Sequence, residues 1–320
     1  MTQSSAFEAV KTSRLAFRIA GLAVLAALLA VSSDAFLTAD NLLNVLRQTA
    51  LLFLIASGLT LVIVGGGLDL SIGATVGLSA CLVATAVKAT DSVAAGVLAG
   101  TVAGTLIGVV NGVLVSGLRL KPIIATYGMM WILNGVTYWY MQGQTIYGFP
   151  DRFRAIGSGH WLGIPVPVYL MVVALVGGVV FARQTIWGYQ VYALGANPDA
   201  ARLSGVPVAA RTFLIYALSG AMGGAAGVVY LARLNSAEAG IGDALLLPAI
   251  AAVLVGGTSL FGGSGGLAGT LVGATILTIV LNGMNLLVVS SNWQPLITGG
   301  IVLLAAALDA VTRRRAGISE

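Results

Sequence analysis

Residues 42–71 read LLNVLRQTALLFLIASGLTLVIVGGGLDLS, an apolar run that stops at three glycines and resumes around Asp69. Three consecutive glycines break a helix, and Asp69 or Ser71 can cap the helix that follows. Within a membrane, a break is tolerated only where the backbone lines protein or water. An aspartate at the centre of a membrane helix costs about 2.5–3.5 kcal/mol, and a capping bond near the inner interface removes most of that cost. The stretch therefore predicts two membrane helices separated by a break near Gly65–Ser71.

A second stretch has the same design. Residues 251–263 read AAVLVGGTSLFGG, an apolar run that ends in glycines and is followed at once by another apolar run. Internal repeats of this kind are common in transporters. The two stretches indicate a distant internal duplication.

The whole chain has the composition of a membrane protein. Of its 320 residues, 58% are apolar and 8% are charged, whereas about 25% are charged in a typical soluble protein. At about 20 apolar residues per helical crossing, this composition suits about eight to ten crossings. It excludes a soluble enzyme, a disordered tail and a disulfide scaffold, and the solidly apolar runs exclude a membrane barrel, whose strands alternate. We predict an all-α polytopic membrane protein that forms a single domain over residues 1–320.

Ten apolar runs are candidate membrane spans, and we read the first of them as a retained start-transfer helix rather than a cleaved signal. They are Leu15–Val31, Leu42–Val64, Ser71–Val87, Ser92–Gly117, Pro122–Met141, Val166–Ala182, Thr212–Ala232, Ala244–Phe261, Leu267–Val289 and Pro295–Val311.

The basic residues set the orientation, because cytoplasmic loops carry an excess of lysine and arginine. An inside N-terminus leaves only five of the 16 basic residues outside, namely Arg47, Lys88, Arg152, Arg154 and Arg233. Both termini are then cytoplasmic, with a long inner loop at about 183–211 and an outer loop at about 142–165 that can act as a docking or lid element. The basic residues are dispersed between spans, so no nucleic-acid partner is expected.

The 43 glycines predict close helix packing. Gly96, Gly100, Gly104, Gly108 and Gly112 recur every four residues and form a smooth groove along one side of the fourth span. Small residues let helix backbones approach each other closely in lipid.

Catalytic chemistry is not expected in this chain. The sequence contains no Gly-Lys-Ser/Thr phosphate-binding string, so ATP hydrolysis must reside on another subunit if it drives transport. Ser264 and Asp243 lie in strings that resemble intramembrane proteases. We predict that His160 lies on the opposite side of the membrane from Ser264, and that Asp243 is an ordinary helix N-cap outside the membrane. One histidine and one cysteine cannot make the usual zinc sets, so we expect no metal or cofactor.

The inner loop contains a short predicted helix. Residues 190–207 read QVYALGANPDAARLSGVP. Asn197 suits the N-cap, Pro198 suits the first turn, and Gly205 suits the end of a helix of about two turns. Such a small rigid helix at the membrane surface is shaped to fit a partner's groove, whereas a mere connector does not require these caps.

Three separated motifs resemble one family. The Gly67–Ser71 string, the inner loop and residues 251–263 are similar to segments of permease subunits of bacterial ATP-binding cassette importers and occur in the same order. Residues 282–287, which read NGMNLL, also match. The resemblance runs from about Leu37 to Ala310 and is strongest for the ribose/xylose/galactose-type branch.

This resemblance implies a multi-pass permease of the bacterial inner membrane that imports a monosaccharide. It also implies a second copy of the chain, cytoplasmic ATP-binding subunits and a periplasmic sugar-binding protein. The segment around Gly195 would then carry the coupling helix: Asn197 and Pro198 would start it, Arg202 would contact the ATPase, and Gly205 would end it.

Polar residues on or beside the spans are candidates for the translocation path, since neutral amides and hydroxyls suit sugar hydroxyls. Each of them can instead form an interhelical hydrogen bond. The candidates are Gln48, Thr60, Asp69, Ser71, Asn111, Asn134, Asn282 and Asn285.

Three alternative functions remain open from the sequence. A gradient-driven secondary transporter would also have broken helices, but only Asp69 is a candidate for ion coupling. A channel would require a filter segment, and none stands out. A branched-chain amino-acid permease belongs to the same importer class.

Overall fold

The computed structural model describes the backbone of residues 2–315 and the side chains of residues 16 and 18–311. The described part is almost entirely helical. Its α-helices are α1 Thr2–Ser32, α2 Ala39–Val64, α3 Ile72–Thr90, α4 Val93–Gly112, α5 Pro122–Met141, α6 Asp151–Ser158, α7 Val166–Gln184, α8 Ile186–Ala196, α9 Pro198–Leu203, α10 Val208–Leu234, α11 Leu246–Val255, α12 Leu267–Leu286 and α13 Gln294–Arg315. A π-helical turn at Val113–Gly117 extends α4, and 3-10 turns precede α11 and α13 at Asp243–Leu245 and Ser291–Trp293.

Every predicted span overlaps a helix. Within the described residues, seven helices are long and apolar enough to cross a membrane, namely α2, α3, α4 with its π-helical turn, α7, α10, α12 and α13 with the turn before it. The predicted break is also present, because α2 ends at Val64 and α3 begins at Ile72.

One predicted span is wrong in its extent. The run Ala244–Phe261 was expected to be helical, but α11 covers only the ten residues Leu246–Val255. The helix stops there because Gly256 and Gly257 follow it. Asp243 is not the N-cap, since the 3-10 turn begins after Gly242 and the Asp243 carboxylate accepts a hydrogen bond from Asn134 instead.

The helices are arranged around α2. Its most apolar stretch is 83% buried, whereas the corresponding stretch of α13 is only 6% buried. α3 and α10 are also largely buried, and α4 and α7 expose most of their surface. The core therefore consists of α2, α3, α10 and most of α11. The helices α4, α7 and α13 form the periphery that is available to lipid or to a partner chain.

The glycine groove on α4 packs against α10, as the four-residue spacing predicted. A Cβ added to Gly104 would lie 2.3 Å from the carbonyl oxygen of Gly220, and one added to Gly224 would lie 2.3 Å from that of Gly100. Both neighbours are main-chain atoms and cannot move aside as a flexible side chain can. Backbone-to-backbone contact therefore joins α4 to α10.

The two glycine stretches have the same local geometry. Gly66 donates to Ile63 and Gly67 to Val62 after α2, and Gly257 donates to Leu254 and Thr258 to Val253 after α11. Gly66 and Gly257 both have a φ of +80°, a conformation that glycine adopts without a steric penalty. The predicted counterparts thus end their helices with the same hydrogen-bond pattern.

The stretch 142–165 folds against the helix ends. Its strand β1 (Ile146–Tyr147) pairs antiparallel with β4 (Ser236–Ala237), which follows α10. The strands β2 (His160–Trp161) and β3 (Ile164–Pro165) form a small hairpin. Phe153 of α6 is fully buried among residues of α3 and α10, so this stretch is an integral part of the packing.

The α4–α10 contact yields a prediction for stability. We expect Gly104→Ala to destabilise the protein by about 1–3 kcal/mol, because the added methyl group overpacks a rigid backbone contact. Gly177→Ala is the matched control, since a Cβ on Gly177 of α7 meets nothing within 4 Å. The melting temperature of the detergent-solubilised protein should fall clearly for Gly104→Ala and not for Gly177→Ala. Equal melting temperatures of the two variants would contradict the close contact.

Candidate functional site

The surface helix α9 has the caps that the sequence predicted. The side-chain oxygen of Asn197 accepts hydrogen bonds from the amides of Asp199 (3.1 Å) and Ala200 (2.9 Å). Pro198 is the first helical residue. The amide of Gly205 donates to the carbonyl of Arg202 at 3.0 Å, and Gly205 has a φ of +81°. The helix is therefore a rigid unit of six residues, Pro198–Leu203, slightly under two turns long.

One face of α9 is exposed. The side chains of Arg202 and Asp199 are 67% and 87% exposed, and their closest charged atoms are 3.5 Å apart. Leu203 is also exposed, whereas Ala201 of the same helix is buried. An exposed pair at this distance contributes little to stability. The exposed face of α9 thus presents a cation, a carboxylate and an apolar side chain to which a partner can bind.

Gly195, at the end of α8, makes the closest backbone contact in this region. A Cβ on Gly195 would lie 1.9 Å from the carbonyl oxygen of Val64 and 2.6 Å from the amide of Gly263. That amide donates to the same Val64 oxygen at 2.8 Å. We call these three residues the glycine junction. It joins α8, and through it α9, to the end of α2 and to the α11–α12 loop (Gly256–Gly266).

Side chains from three other helices hold the α11–α12 loop. Arg18 of α1 donates to the carbonyl of Gly256 at 2.8 Å, where the cation also complements the negative end of α11. Tyr192 of α8 donates to the carbonyl of Gly265 at 3.0 Å. Burial raises the pKa of the Tyr192 phenol, which therefore remains a hydrogen-bond donor. Ser259 donates to Asp309 of α13 at 2.8 Å.

A buried polar network fills the break between α2 and α3. One oxygen of Asp69 accepts hydrogen bonds from the amide and the hydroxyl of Ser71, at 3.0 and 2.6 Å. The other oxygen accepts from Ser219 of α10 at 2.9 Å. Asn111 of α4 donates to the Ser71 hydroxyl at 2.7 Å. All four residues are buried, and Asp69 is 1% exposed.

The main chain of the break is also fastened to its neighbours. The carbonyl of Leu68 accepts hydrogen bonds from Tyr216 of α10 at 3.2 Å and from Thr126 of α5 at 3.1 Å. The amide of Leu70 donates to the Thr126 hydroxyl at 3.1 Å. Backbone groups that leave helical pairing at the break thereby regain partners, as a low-dielectric interior requires.

The remaining polar candidates for the translocation path do not share one site, and most of them bond to different partners. Asn282 forms a two-way amide pair with Asn41 of α2, at 2.8 and 3.1 Å. Thr60 bonds with Thr270 at 2.7 Å, and Asn285 accepts from Gln294 at 3.2 Å.

Asn134 donates to Asp243 at 3.1 Å, and Gln48 is half-buried on α2. Of the predicted set, only Asp69, Ser71 and Asn111 come together. Within the described residues, no three His, Cys, Asp or Glu side chains are grouped to hold a metal ion.

Sequence reasoning missed several of these contacts. No local sequence pattern marks Arg18, Asp309 or Tyr192, because their partners are main-chain atoms or residues far along the chain. The sequence predicted Gly195 only as part of the coupling segment. Its position one residue before the end of α8 carries no local signal for contact with Val64.

Comparison with known proteins gives a consistent result. The family described as branched-chain amino acid transport system / permease component matches residues 41–306. The chain is 43% identical to the ribose import permease protein RbsC of Bacillus subtilis, over 90% of each protein. It is 40% identical to RbsC of Escherichia coli strain K12, with 90% of this chain and 91% of that protein covered.

A further relative is the galactose/methyl galactoside import permease protein MglC of Salmonella typhimurium, 35% identical over 92% of this chain and 93% of that protein. No solved structure matches the chain.

The Asp69 network yields a second prediction. We expect Asp69→Ala to destabilise the protein by at least about 2 kcal/mol, because the buried donors of Ser71 and Ser219 lose their acceptors. Asp69→Asn should lose less stability than Asp69→Ala, since the amide keeps one oxygen as an acceptor. Asp151→Ala is the control, because that side chain is 97% exposed. Thermal melting measures the effect. A variant Asp69→Ala that melts like wild type would contradict a structural role for this carboxylate.

Proposed function

Because the chain belongs to the branched-chain amino acid transport system / permease component family, we propose that it is the transmembrane permease subunit of a binding-protein-dependent, ATP-driven importer of a monosaccharide. It is a multi-pass protein of the inner membrane. The observation that carries this proposal is the 43% identity with a ribose import permease over 90% of both chains. The similarity extends over most of both chains.

The relatives favour a sugar over an amino acid. The family description names branched-chain amino acids, but the relatives with high identity are named for ribose and galactose. An amino acid would also bring a carboxylate, which requires a fixed positive charge in the path. The polar residues of the predicted path are amides, hydroxyls and one aspartate, which suit the neutral hydroxyl groups of a sugar.

The other components of the importer are separate proteins. A cytoplasmic ATP-binding subunit hydrolyses ATP, a periplasmic sugar-binding protein delivers the sugar, and a second copy of this chain completes the membrane part. The exposed apolar surfaces of α4, α7 and α13 leave ample area for lipid and for that second copy. In this arrangement the chain itself catalyses no reaction.

The chain crosses the membrane ten times, with both termini in the cytoplasm. The overlap of all ten predicted spans with helices supports this count. For α11, which is only ten residues long, the preceding non-helical segment 235–242 completes the crossing. The excess of basic residues on the inner side supports the orientation.

The ATPase drives transport through α9. Arg202 and Leu203 dock in the surface of the ATP-binding subunit, while Asn197, Pro198 and Gly205 keep the helix rigid. Gly195 transmits displacement of α9 to the break after α2 and to the α11–α12 loop, since the glycine junction has no flexible side chain between its three backbones. Closure of the ATPase thereby shifts the spans between inward-facing and outward-facing states.

Reconstitution tests the function directly. Proteoliposomes that contain this permease, its ATP-binding subunit and its binding protein should accumulate radiolabelled ribose, arabinose, allose or galactose only when ATP is inside. Leucine serves as the control substrate for an amino-acid permease. Accumulation by the permease alone under an ion gradient would instead identify a secondary transporter.

Charge reversal at α9 tests the coupling role. We expect Arg202→Glu to reduce ATP-driven uptake at least tenfold, because reversing a charge in a docked interface costs about 2–5 kcal/mol. Arg119→Glu is the control, since Arg119 is also exposed but lies between α4 and α5 and not on α9. Both variants should reach the membrane in normal amounts. Full uptake by Arg202→Glu would contradict the assignment.

A further inference from the structure

A cavity lies between α3, α5 and the segment that leads into α11. Its volume is about 500 Å³, within the range of about 300–1,000 Å³ that is typical of small-molecule sites. Its wall includes Leu70 of the break, Gly73 in the first turn of α3 and Leu246, the first residue of α11. The side chains that give it chemical character are Trp131, Asn134, Tyr138 and Asp243.

The position of Asp243 places the cavity within the helix bundle. A Cβ on the preceding Gly242 would lie 2.0 Å from the carbonyl oxygen of Gly73, so this segment packs on the first turn of α3. At 1.5 Å per residue, Gly73 is about 25 Å along the axis from Thr90, the last residue of α3. The residue after Thr90, Asp91, pairs with Arg152 of the 142–165 stretch. Asn134, which bonds the Asp243 carboxylate, lies about 10 Å along α5 before Met141, where that stretch begins, so the carboxylate lies below this surface.

Asp243 lacks a charged partner that would explain its presence there. Its carboxylate accepts a hydrogen bond from the Asn134 amide at 3.1 Å. No basic side chain among the described residues forms an ion pair with it. A carboxylate at membrane depth costs about 2.5–3.5 kcal/mol and usually marks a substrate or ion pathway. Unlike Asp69, this carboxylate faces open space, because Asp243 is exposed to the cavity.

The other groups of the cavity complement a sugar. The Tyr138 hydroxyl and the second carboxylate oxygen of Asp243 lie 3.0 and 3.2 Å from the position of a Cβ on Gly240, so they flank the same glycine. Trp131 and Tyr138 expose 60% and 55% of their surface. A carboxylate accepts from sugar hydroxyls, an amide and a phenol both donate and accept, and aromatic rings offer a flat apolar face to the C–H face of the sugar ring.

We propose that this cavity binds the monosaccharide during its passage, with Asp243 and Asn134 bonding its hydroxyl groups and Trp131 packing against its ring. The inference rests on the proposed import function and extends it by naming a site. α11 is a half-length helix that begins at this cavity, which is the arrangement of discontinuous helices around the substrate sites of other transporters. None of the described residues that line the cavity is basic, so the lining disfavours substrates that carry a carboxylate.

The first experiment measures transport per ATP in the full importer, with its ATP-binding subunit and binding protein. Asp243→Asn and Asn134→Leu should lower the amount of labelled sugar delivered per ATP hydrolysed about tenfold. Asp34→Asn, an exposed residue between α1 and α2, should leave it unchanged. The probes are ribose, arabinose, allose and galactose, each supplied alone. A ratio equal to that of wild type in Asp243→Asn overturns the proposal.

The second experiment does not depend on the folding of a charge variant. In a Cys81→Ala background, a cysteine is placed at Gly135, which lines the cavity, or at Gly177, which lies on α7. A side chain at either position meets nothing within 4 Å. During ATP-driven turnover, the transported sugar should slow N-ethylmaleimide labelling of Gly135→Cys at least threefold and leave Gly177→Cys unchanged.

Labelling of Gly135→Cys that is insensitive to the sugar overturns the proposed site. Failure of the import function gives a different result, because the wild-type importer would then accumulate none of the four sugars with ATP. The two hypotheses therefore fail in separable ways.

Discussion

Backbone groups that leave a helix inside a membrane must find partners within the protein, and this constraint governs the whole molecule. Two helices, α2 and α11, end within the bundle at glycine turns. The carbonyl of Val64, released at the end of α2, accepts a hydrogen bond from Gly263 of the α11–α12 loop. Thus one break supplies the partner for the other. Only a glycine at position 195 lets α8 come close enough to cover this contact, since a Cβ would lie 1.9 Å from the Val64 oxygen.

The high glycine content follows from the same constraint. Glycine weakens an isolated helix by about 1 kcal/mol relative to alanine. In lipid, however, helices gain little from apolar burial against each other and depend on close packing. The contacts of Gly104 with Gly220 and of Gly273 with Ala252 bring main-chain atoms together. Such contacts have steep repulsion and no rotatable bonds, so they transmit displacement instead of absorbing it.

Features that depend on neighbouring residues were predictable from the sequence, and features that depend on long-range contact were not. The ten helical segments, the break after Val64, the caps of α9 and the groove on α4 all arise from local patterns. The ten-residue length of α11 and the pairing of Asn134 with Asp243, which are 109 residues apart, required the fold. Asp243 was misread as an N-cap because the sequence does not reveal its hydrogen bond with Asn134 or the packing of Gly242 on Gly73. Likewise, the sequence does not reveal that Asp69 and Asn111, 42 residues apart, both bond to the buried Ser71.

The short helix α11 connects the two functional regions. Its last turn leads into Gly256, whose carbonyl is bonded by Arg18 and whose loop reaches the glycine junction. Its first turn follows Asp243, which lines the cavity. A helix of ten residues is about 15 Å long and is too short to bend appreciably. A displacement of the α11–α12 loop by α8 and α9 therefore carries to Asp243 at the other end. Under the proposed mechanism, α11 changes the cavity when α9 moves, so that a force applied at Arg202 alters the contacts made to a sugar without any direct contact between the two regions.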